Sequence, residues 1–280
     1  MLFRSRCIDP QLIEAAITPR TKAIIPVHYG GRAAPMDEIL AIAAKHGLRV
    51  IEDAAHSLPS THNGKLVGTL ASDATVFSFY ANKTITTGEG GMLVTRDPDI
   101  ATRARTMRLH GINRDAFDRF TTRKASWYYE IVAPGFKYNL TDIAASIGIH
   151  QLRRVDEFQQ RRASVARRFD AGLAGVVKLP PQPLPGDLHS WHLYAVQLND
   201  GARVSRDVFI EQMFAQDIGV SVHYIPLHLQ PYWRDTYRLT PELFPVSQRI
   251  YERATSLPIY TRMTDVDVQR VIDTVTDILV

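Results

Sequence analysis

A single cysteine, Cys7, stands in a chain of 280 residues. That excludes an internal disulfide and a metal site built from clustered thiolates. No run is long and apolar enough to span a bilayer as a helix. The opening residues Met1-Leu2-Phe3-Arg4-Ser5-Arg6 lack the apolar stretch of a signal peptide. These absences set the expectation of a cytoplasmic protein. Internal repeats and low-complexity tracts are missing too. So is a surplus of one charge: 33 Lys and Arg against 29 Asp and Glu leave a net charge of +4. The basic residues are scattered over helix faces such as Arg153-Arg154 and Arg161-Arg162. Without a basic stripe or a nucleic-acid motif, nucleic acid is not an expected partner. The small positive balance suits anionic small molecules.

What is present is an alternation of strand and helix signals. Residues 23–28 read as a short buried strand. Met36–His46 carries Met36, Ile39, Leu40 and Ala43 at helical spacing, and Gly47 follows as a C-terminal stop. Residues 48–54 read as the next strand, with Asp53 near its carboxyl end, and 75–80 and 92–95 as further strands. This alternation predicts an α/β fold with a mostly parallel sheet, which binds ligands at the carboxyl ends of its strands. Thr141 is a plausible N-cap for a long helical pattern through Ile143, Ile147, Leu152, Val155, Phe158, Val165 and Phe169. A proline-rich break at 179–186 follows. Beyond it come a strand at 191–198, a helix at 205–216, a strand at 218–224 and two later helices, the last starting at Thr264. The expected division is a large domain over 1–158 and a smaller α/β domain over 159–280.

Two segments carry chemistry. In Phe77-Ser78-Phe79-Tyr80-Ala81-Asn82-Lys83-Thr84-Ile85-Thr86-Thr87-Gly88-Glu89-Gly90-Gly91, one lysine lies between an apolar run and a glycine cluster. In Val50-Ile51-Glu52-Asp53-Ala54-Ala55-His56, an acid sits at the end of a buried-looking run. A lysine that forms an imine, an acid that pairs with a pyridinium nitrogen and a serine for a phosphate are the parts pyridoxal phosphate requires. Plainer readings exist beside these. Asp53 could cap a helix starting at Ala54, His56 could be a packed loop histidine, and Asn139 could be a turn or cap residue. Gly88, Gly90 and Gly91 could simply shape a turn.

Glu52-Asp53-Ala54-Ala55-His56, Phe77-Ser78-Phe79, Lys83 and Gly88-Glu89-Gly90-Gly91 together resemble the DegT/DnrJ/EryC1/StrS aminotransferases. Pro134-Gly135-Phe136-Lys137-Tyr138-Asn139-Leu140-Thr141-Asp142, Trp191-His192-Leu193-Tyr194 and Val222-His223-Tyr224-Ile225-Pro226-Leu227-His228 extend the match. The pattern is most similar to the branch that makes 4-amino sugars, of the 4-amino-4-deoxy-arabinose or perosamine type. The resemblance implies fold type I of the pyridoxal-phosphate enzymes. It also implies amino transfer, from glutamate, to a 4-keto nucleotide sugar in lipopolysaccharide or other cell-surface sugar biosynthesis.

The resemblance also assigns roles. Lys83 matches the Schiff-base lysine and Asp53 the partner of the pyridinium nitrogen. His56 matches a contact to the ring 3-hydroxyl, and Ser78 a phosphate contact. Asn139 matches a residue that reaches the phosphate in the neighbouring subunit, which implies a homodimer with shared sites. His223 and His228 are candidate sugar-nucleotide contacts. They could also be read as metal ligands, but no third ligand clusters with them, so no metal is expected. Trp191 and Tyr194 read as core or interface aromatics. Lys83 argues against the family's sugar dehydrases, in which histidine replaces it. The alternatives from another class are a non-catalytic binder of cofactor or sugar nucleotide and an inactive truncated paralogue. Full members carry, at their front, a Gly-Thr turn for the cofactor phosphate and a residue that stacks on the ring. Neither precedes Ala23, so the expectation is a chain lacking its N-terminal segment and binding the cofactor poorly.

Overall fold

The computed structural model describes residues 6–113 and 128–280. Strands β1 (Ala23–Ile24) and β2 (Arg49–Asp53) are followed by a small hairpin, β3 (Thr61–His62) and β4 (Lys65–Leu66). Then come β5 (Ala74–Ser78) and β6 (Gly91–Val94). The main sheet has the order β1-β2-β5-β6. Its first three strands are parallel, and β6 runs antiparallel to β5 with Ser78 opposite Gly91. The α/β expectation holds, with one antiparallel edge strand. The chain returns from β5 to β6 through the loop that carries Lys83, not through a crossover helix, and a return without a crossover gives antiparallel pairing.

Helix α1 (Ile13–Ala16) precedes β1, and α2 (Met36–His46) joins β1 to β2. Met36, Ile39 and Ala43 are the buried residues of α2; its first turn carries Asp37 and Glu38, and its last turn Lys45 and His46. Those charges complement the helix dipole. Gly47 ends the helix at φ 63°, and its N–H bonds back to Ala43 and Ala44. The predicted strand at 23–28 is shorter than expected. Pro26 has no N–H for the ladder, so pairing is interrupted and resumes as a bridge between Val27 and Asp53. Ile25 and Val27 are exposed.

Helix α3 (Pro98–Met107) follows β6. The single long helix expected after Thr141 is two: α4 (Asp142–Leu152) and α5 (Val155–Gly172). Thr141 caps α4 by accepting from the Ala144 N–H. Between the two helices Arg154 leaves helical geometry (φ −108°, ψ 6°), and its guanidinium pairs with Glu157 through two hydrogen bonds. The break re-aims α5. Its Val155 and Phe158 pack with Ile85, whereas Ile143, Ile147, Ile149 and Leu152 of α4 are exposed.

Strand β7 (Tyr194–Gln197) pairs with β8 (Ala254–Leu257), a strand the pattern did not show. The predicted strand at 218–224 makes only a bridge from Ser221 to Ser256. Helices α6 (Arg206–Ala215), α7 (Pro231–Tyr237), α8 (Pro245–Arg253) and α9 (Asp265–Leu279) complete this half. A capping box between Thr264 and Asp267 starts α9. Two main apolar clusters result. One joins Ile13, Ile24, Met36, Ile39 and Val50. The other joins Val165, Phe169, Tyr194, Phe209, Met213, Val268 and Val275. Trp191 and Tyr194 are buried in the second, as core aromatics. No described helix is long and apolar enough to cross a membrane.

Candidate active site

Successive residues of a strand point to opposite faces. In β2, Val50 and Glu52 are buried while Ile51 and Asp53 are only partly covered. Glu52 has no exposure and is held by three donors. His28 Nε2 lies 2.8 Å and Thr75 Oγ1 2.8 Å from its carboxylate, and Ser72 Oγ also donates. The Ala34 N–H donates to His28 Nδ1 at 2.9 Å, which leaves Nε2 as the N–H that donates to Glu52. Burial works to raise the Glu52 carboxyl, but the hydrogen bonds from His28 and Ser72 outweigh it, and its pKa lies below the usual carboxylate range. Main-chain bonds from Asp53 N–H to Pro26 O (2.9 Å) and from His28 N–H to Asp53 O (3.1 Å) then fix the next residue. Asp53 therefore ends β2 on a rigid mount. No helix starts at Ala54; Asp53 Oδ1 accepts from the Ala55 N–H at 3.0 Å, closing a turn.

The loop after β5 is tied at both ends. Phe79 N–H donates to Gly90 O (2.8 Å), Thr87 N–H to Phe79 O (2.9 Å), and Lys83 N–H to Tyr80 O (3.0 Å). Gly90 has φ 157°, and a Cβ there would lie 2.4 Å from Thr87 Oγ1, so this glycine closes the loop. Ile85 anchors it by packing with Val155 and Phe158. Lys83 is left half-buried.

Asp53, His56, Lys83 and His223 line one cavity of about 920 Å³ at the carboxyl end of β1 and β2. Tyr29, Arg6, Tyr224, Tyr232, Trp233 and Tyr251 complete much of its wall. A volume of this order is that of a small-molecule site. His56 Nδ1 accepts from the Gly30 N–H at 3.3 Å, so the ring carries its proton on Nε2. The ring packs between His192 (4.4 Å between centroids) and His223 (4.9 Å). Ser190 Oγ bonds to His56 O, and a Cβ on Gly31 would collide with Ser190, so the segment around 190 closes tightly on the loop from behind.

Burial, with the charges of Lys83 and His223, holds His56 at a pKa of about 3. Burial and Lys83 hold His223 at about 4. Burial pushes Lys83 below the usual lysine range, with the charge of Asp53 opposing. The arrangement therefore offers a partly desolvated amine, a carboxylate and a neutral imidazole N–H along one wall.

The other expected residues stand apart from this wall. Ser78 closes β5 at the same sheet end, where its Oγ accepts from the Tyr80 N–H at 3.3 Å, but it does not line the cavity. Asn139 accepts from Lys137 Nζ and lines a different cavity, beside β6. His228 is buried, bonded through Nε2 to Gln248 (3.0 Å) and stacked on Phe244. The 3-10 turn Leu227–Leu229 turns it inward, so the expected substrate contact gives way to packing. Sequence reasoning passed over Tyr29, Arg6, His192 and the Tyr232-Trp233 pair as site residues. The only signal for His192 was its place in Trp191-His192-Leu193-Tyr194.

Comparison with known proteins gives the family. The family model described as the DegT/DnrJ/EryC1/StrS aminotransferase family matches residues 3–276. An uncharacterized Methanocaldococcus jannaschii protein, MJ1066, is 48% identical over 97% of this chain and 70% of its own length. The Bacillus subtilis spore coat polysaccharide biosynthesis protein SpsC is 44% identical over the same shares. Spr1654 of Streptococcus pneumoniae, described as a sugar aminotransferase and solved in a PMP form, superposes with a TM-score of 0.90 at 30% identity. That superposition covers 98% of this chain and 73% of Spr1654. The chain therefore belongs to the DegT/DnrJ/EryC1/StrS aminotransferase family, enzymes of fold type I that work with pyridoxal phosphate.

Proposed function

We propose that the chain moves an amino group from glutamate to a 4-keto nucleotide sugar, in the cytoplasm, for a cell-surface polysaccharide such as lipopolysaccharide. The observation that carries the reading is the meeting of Lys83, Asp53 and His56 on one cavity wall. The residues fit pyridoxal phosphate. The Lys83 amine is partly desolvated, the second oxygen of Asp53 is left free by the Ala55 bond, and the His56 Nε2–H is a donor for a ring hydroxyl. When bound, that group acts as an electron sink for the carbon that gains or loses the amine.

The chain's own residues do the rest. Asp53 holds a positive charge at a ring nitrogen, on a strand end made rigid by the Glu52–His28 pair behind it. His56 stays neutral, so it donates without adding charge. Lys83 would carry a proton between the two carbons that flank the transferred nitrogen, which requires an amine that gives up its proton more readily than a solvated lysine does. His223, beside His56, faces the substrate, and Ser78 serves the phosphate from the end of β5. Asn139 lines a separate cavity of its own chain, which supports a homodimer in which it serves the partner's site. The two main apolar clusters support a division into domains near Phe158.

Borohydride reduction of the protein loaded with pyridoxal phosphate should fix a pyridoxyl group on the peptide containing Lys83. Label on Lys65 or Lys137 instead would overturn the site. Mass spectrometry of products from a panel of nucleotide 4-keto sugars with glutamate then reads the substrate. Fixation at Lys83 without an amino sugar from any of them would favour a non-catalytic binder.

A further inference from the structure

Arg6 lines the Lys83 cavity while keeping only 5% of its exposure. Among the described residues its buried Nε has no hydrogen-bond partner. Its neighbour is Tyr29, whose ring centre lies 5.9 Å from Cζ and whose phenol oxygen accepts a side-chain hydrogen bond from the guanidinium. Burial pulls the guanidinium below its ordinary range and Tyr29 opposes this; no carboxylate acts on it. Burial raises the Tyr29 phenol, so it keeps its proton. A guanidinium stays charged even when buried, and a buried charge without a counter-ion is costly. The rest of the wall supplies no counter-ion. Asp53 is the one carboxylate among the described lining residues, its Oδ1 takes the Ala55 N–H, and its charge acts on Lys83. His56 and His223 are held neutral. The described lining thus offers the Arg6 guanidinium no carboxylate of its own.

We propose that Arg6 is the anion-binding residue of this cavity, taking a carboxylate or phosphoryl oxygen of a substrate on its guanidinium beside the Tyr29 phenol. The proposal rests on reading the cavity as the substrate site. Both substrates of the proposed reaction bring such a group: the amino donor its carboxylates, the sugar nucleotide its diphosphate. A planar guanidinium suits either, because its parallel N–H groups match a pair of oxygens.

Two unreactive probes separate the sources: glutarate for the donor's carboxylates and uridine diphosphate for the nucleotide. Calorimetry is run on the cofactor-loaded protein and on Arg6→Leu and Arg6→Lys. The wild type should bind at least one probe. Arg6→Leu should weaken that probe by about tenfold or more, as for a lost charge-assisted hydrogen bond, and Arg6→Lys should fall between. Loss of glutarate alone assigns the donor's carboxylate, and loss of the diphosphate alone assigns the nucleotide. Loss of both makes Arg6 a general oxyanion site, which also supports the proposal. Unchanged affinities, or a wild type that binds neither probe, overturn it.

The melting temperature without probe gives an independent reading. Removing a lone buried cation should raise it in Arg6→Leu, and a fall would make Arg6 a structural residue and overturn the proposal. Borohydride fixation at Lys83 keeps the two readings apart. If Arg6→Leu fixes the cofactor normally and binds the probes normally, only the Arg6 proposal fails. If the wild type does not fix it, the aminotransferase reading fails while Arg6-dependent anion binding stays measurable.

Discussion

Two cavities of similar size border the main sheet, and they differ in kind. The one beside β6 measures about 1080 Å³ and is walled by Met92, Leu93 and Val94, with Tyr138 and Asn139 opposite. Among the described residues no histidine and no lysine line it, though Glu89, Arg105 and Arg108 do. The other, about 920 Å³, collects Lys83, Asp53, Arg6 and the His56–His223 pair. The smaller cavity is the one in which burial has shifted the amine, the guanidinium and two imidazoles together. Size therefore does not locate the chemistry; desolvated titratable groups do. The source of the difference is local. Asp53 and Lys83 sit where parallel strands end and a loop is tied down, whereas β6 is an edge strand with every residue exposed.

The largest effect that sharpens this contrast is expected at Asp53. Asp53→Asn keeps the shape and the bond to the Ala55 N–H but removes the negative charge. Turnover should fall by about 10² or more, in the range of a lost electrostatic contact to a developing charge, with the cofactor still bound. Steady-state rates and cofactor stoichiometry check this. Unchanged turnover would reduce Asp53 to the turn it closes with Ala55.

Acid should act next, and through the same cavity. His56 at about 3 and His223 at about 4 lie below the unfolded histidine value of about 6.5. Between those values the unfolded chain binds protons that the folded chain refuses. Stability therefore falls as pH drops below about 6.5 and is insensitive to these groups above it. The upper limit is about 1.4 kcal/mol per group per pH unit. Melting curves from pH 7.5 to 5.5 should fall more steeply for the wild type than for His223→Gln. Equal slopes would mean that His223 is solvated in solution and that the charge contrast between the cavities is overstated.

The sequence announced the local parts of this site and missed the distant ones. Met36, Ile39, Ala43 and Gly47 made α2 legible because helix burial and its C-terminal stop are written within a dozen residues. Asp53 and Lys83 were legible for the same reason, each marked by its neighbours in the chain. The packing of His192 on His56 joins positions 136 residues apart (192 − 56), and no periodicity reports that. The pairing of β7 with β8 was hidden likewise, because a four-residue strand between helices leaves too short a pattern. The break at Arg153-Arg154 was masked by apolar residues that continue through it, and those of α4 proved exposed. His228 misled by nearness to His223; five residues of chain, ending in a 3-10 turn, place the two rings in different surroundings.

The smallest effect is expected on the wall of the larger cavity. Leu93 is 40% exposed in β6 and pairs through its main chain with Val76 of β5. A serine keeps those backbone bonds and gives up apolar area of which a large share already meets water. Substitutions at such positions change stability by about 0.5 kcal/mol or less. Chemical denaturation of Leu93→Ser should therefore give a midpoint close to the wild type, with Lys83 still labelled by borohydride. A loss above about 1 kcal/mol would require Leu93 to be buried in solution. The face beside Asn139 would then be covered in the assembled protein, and the two cavities would differ as an interface differs from a site.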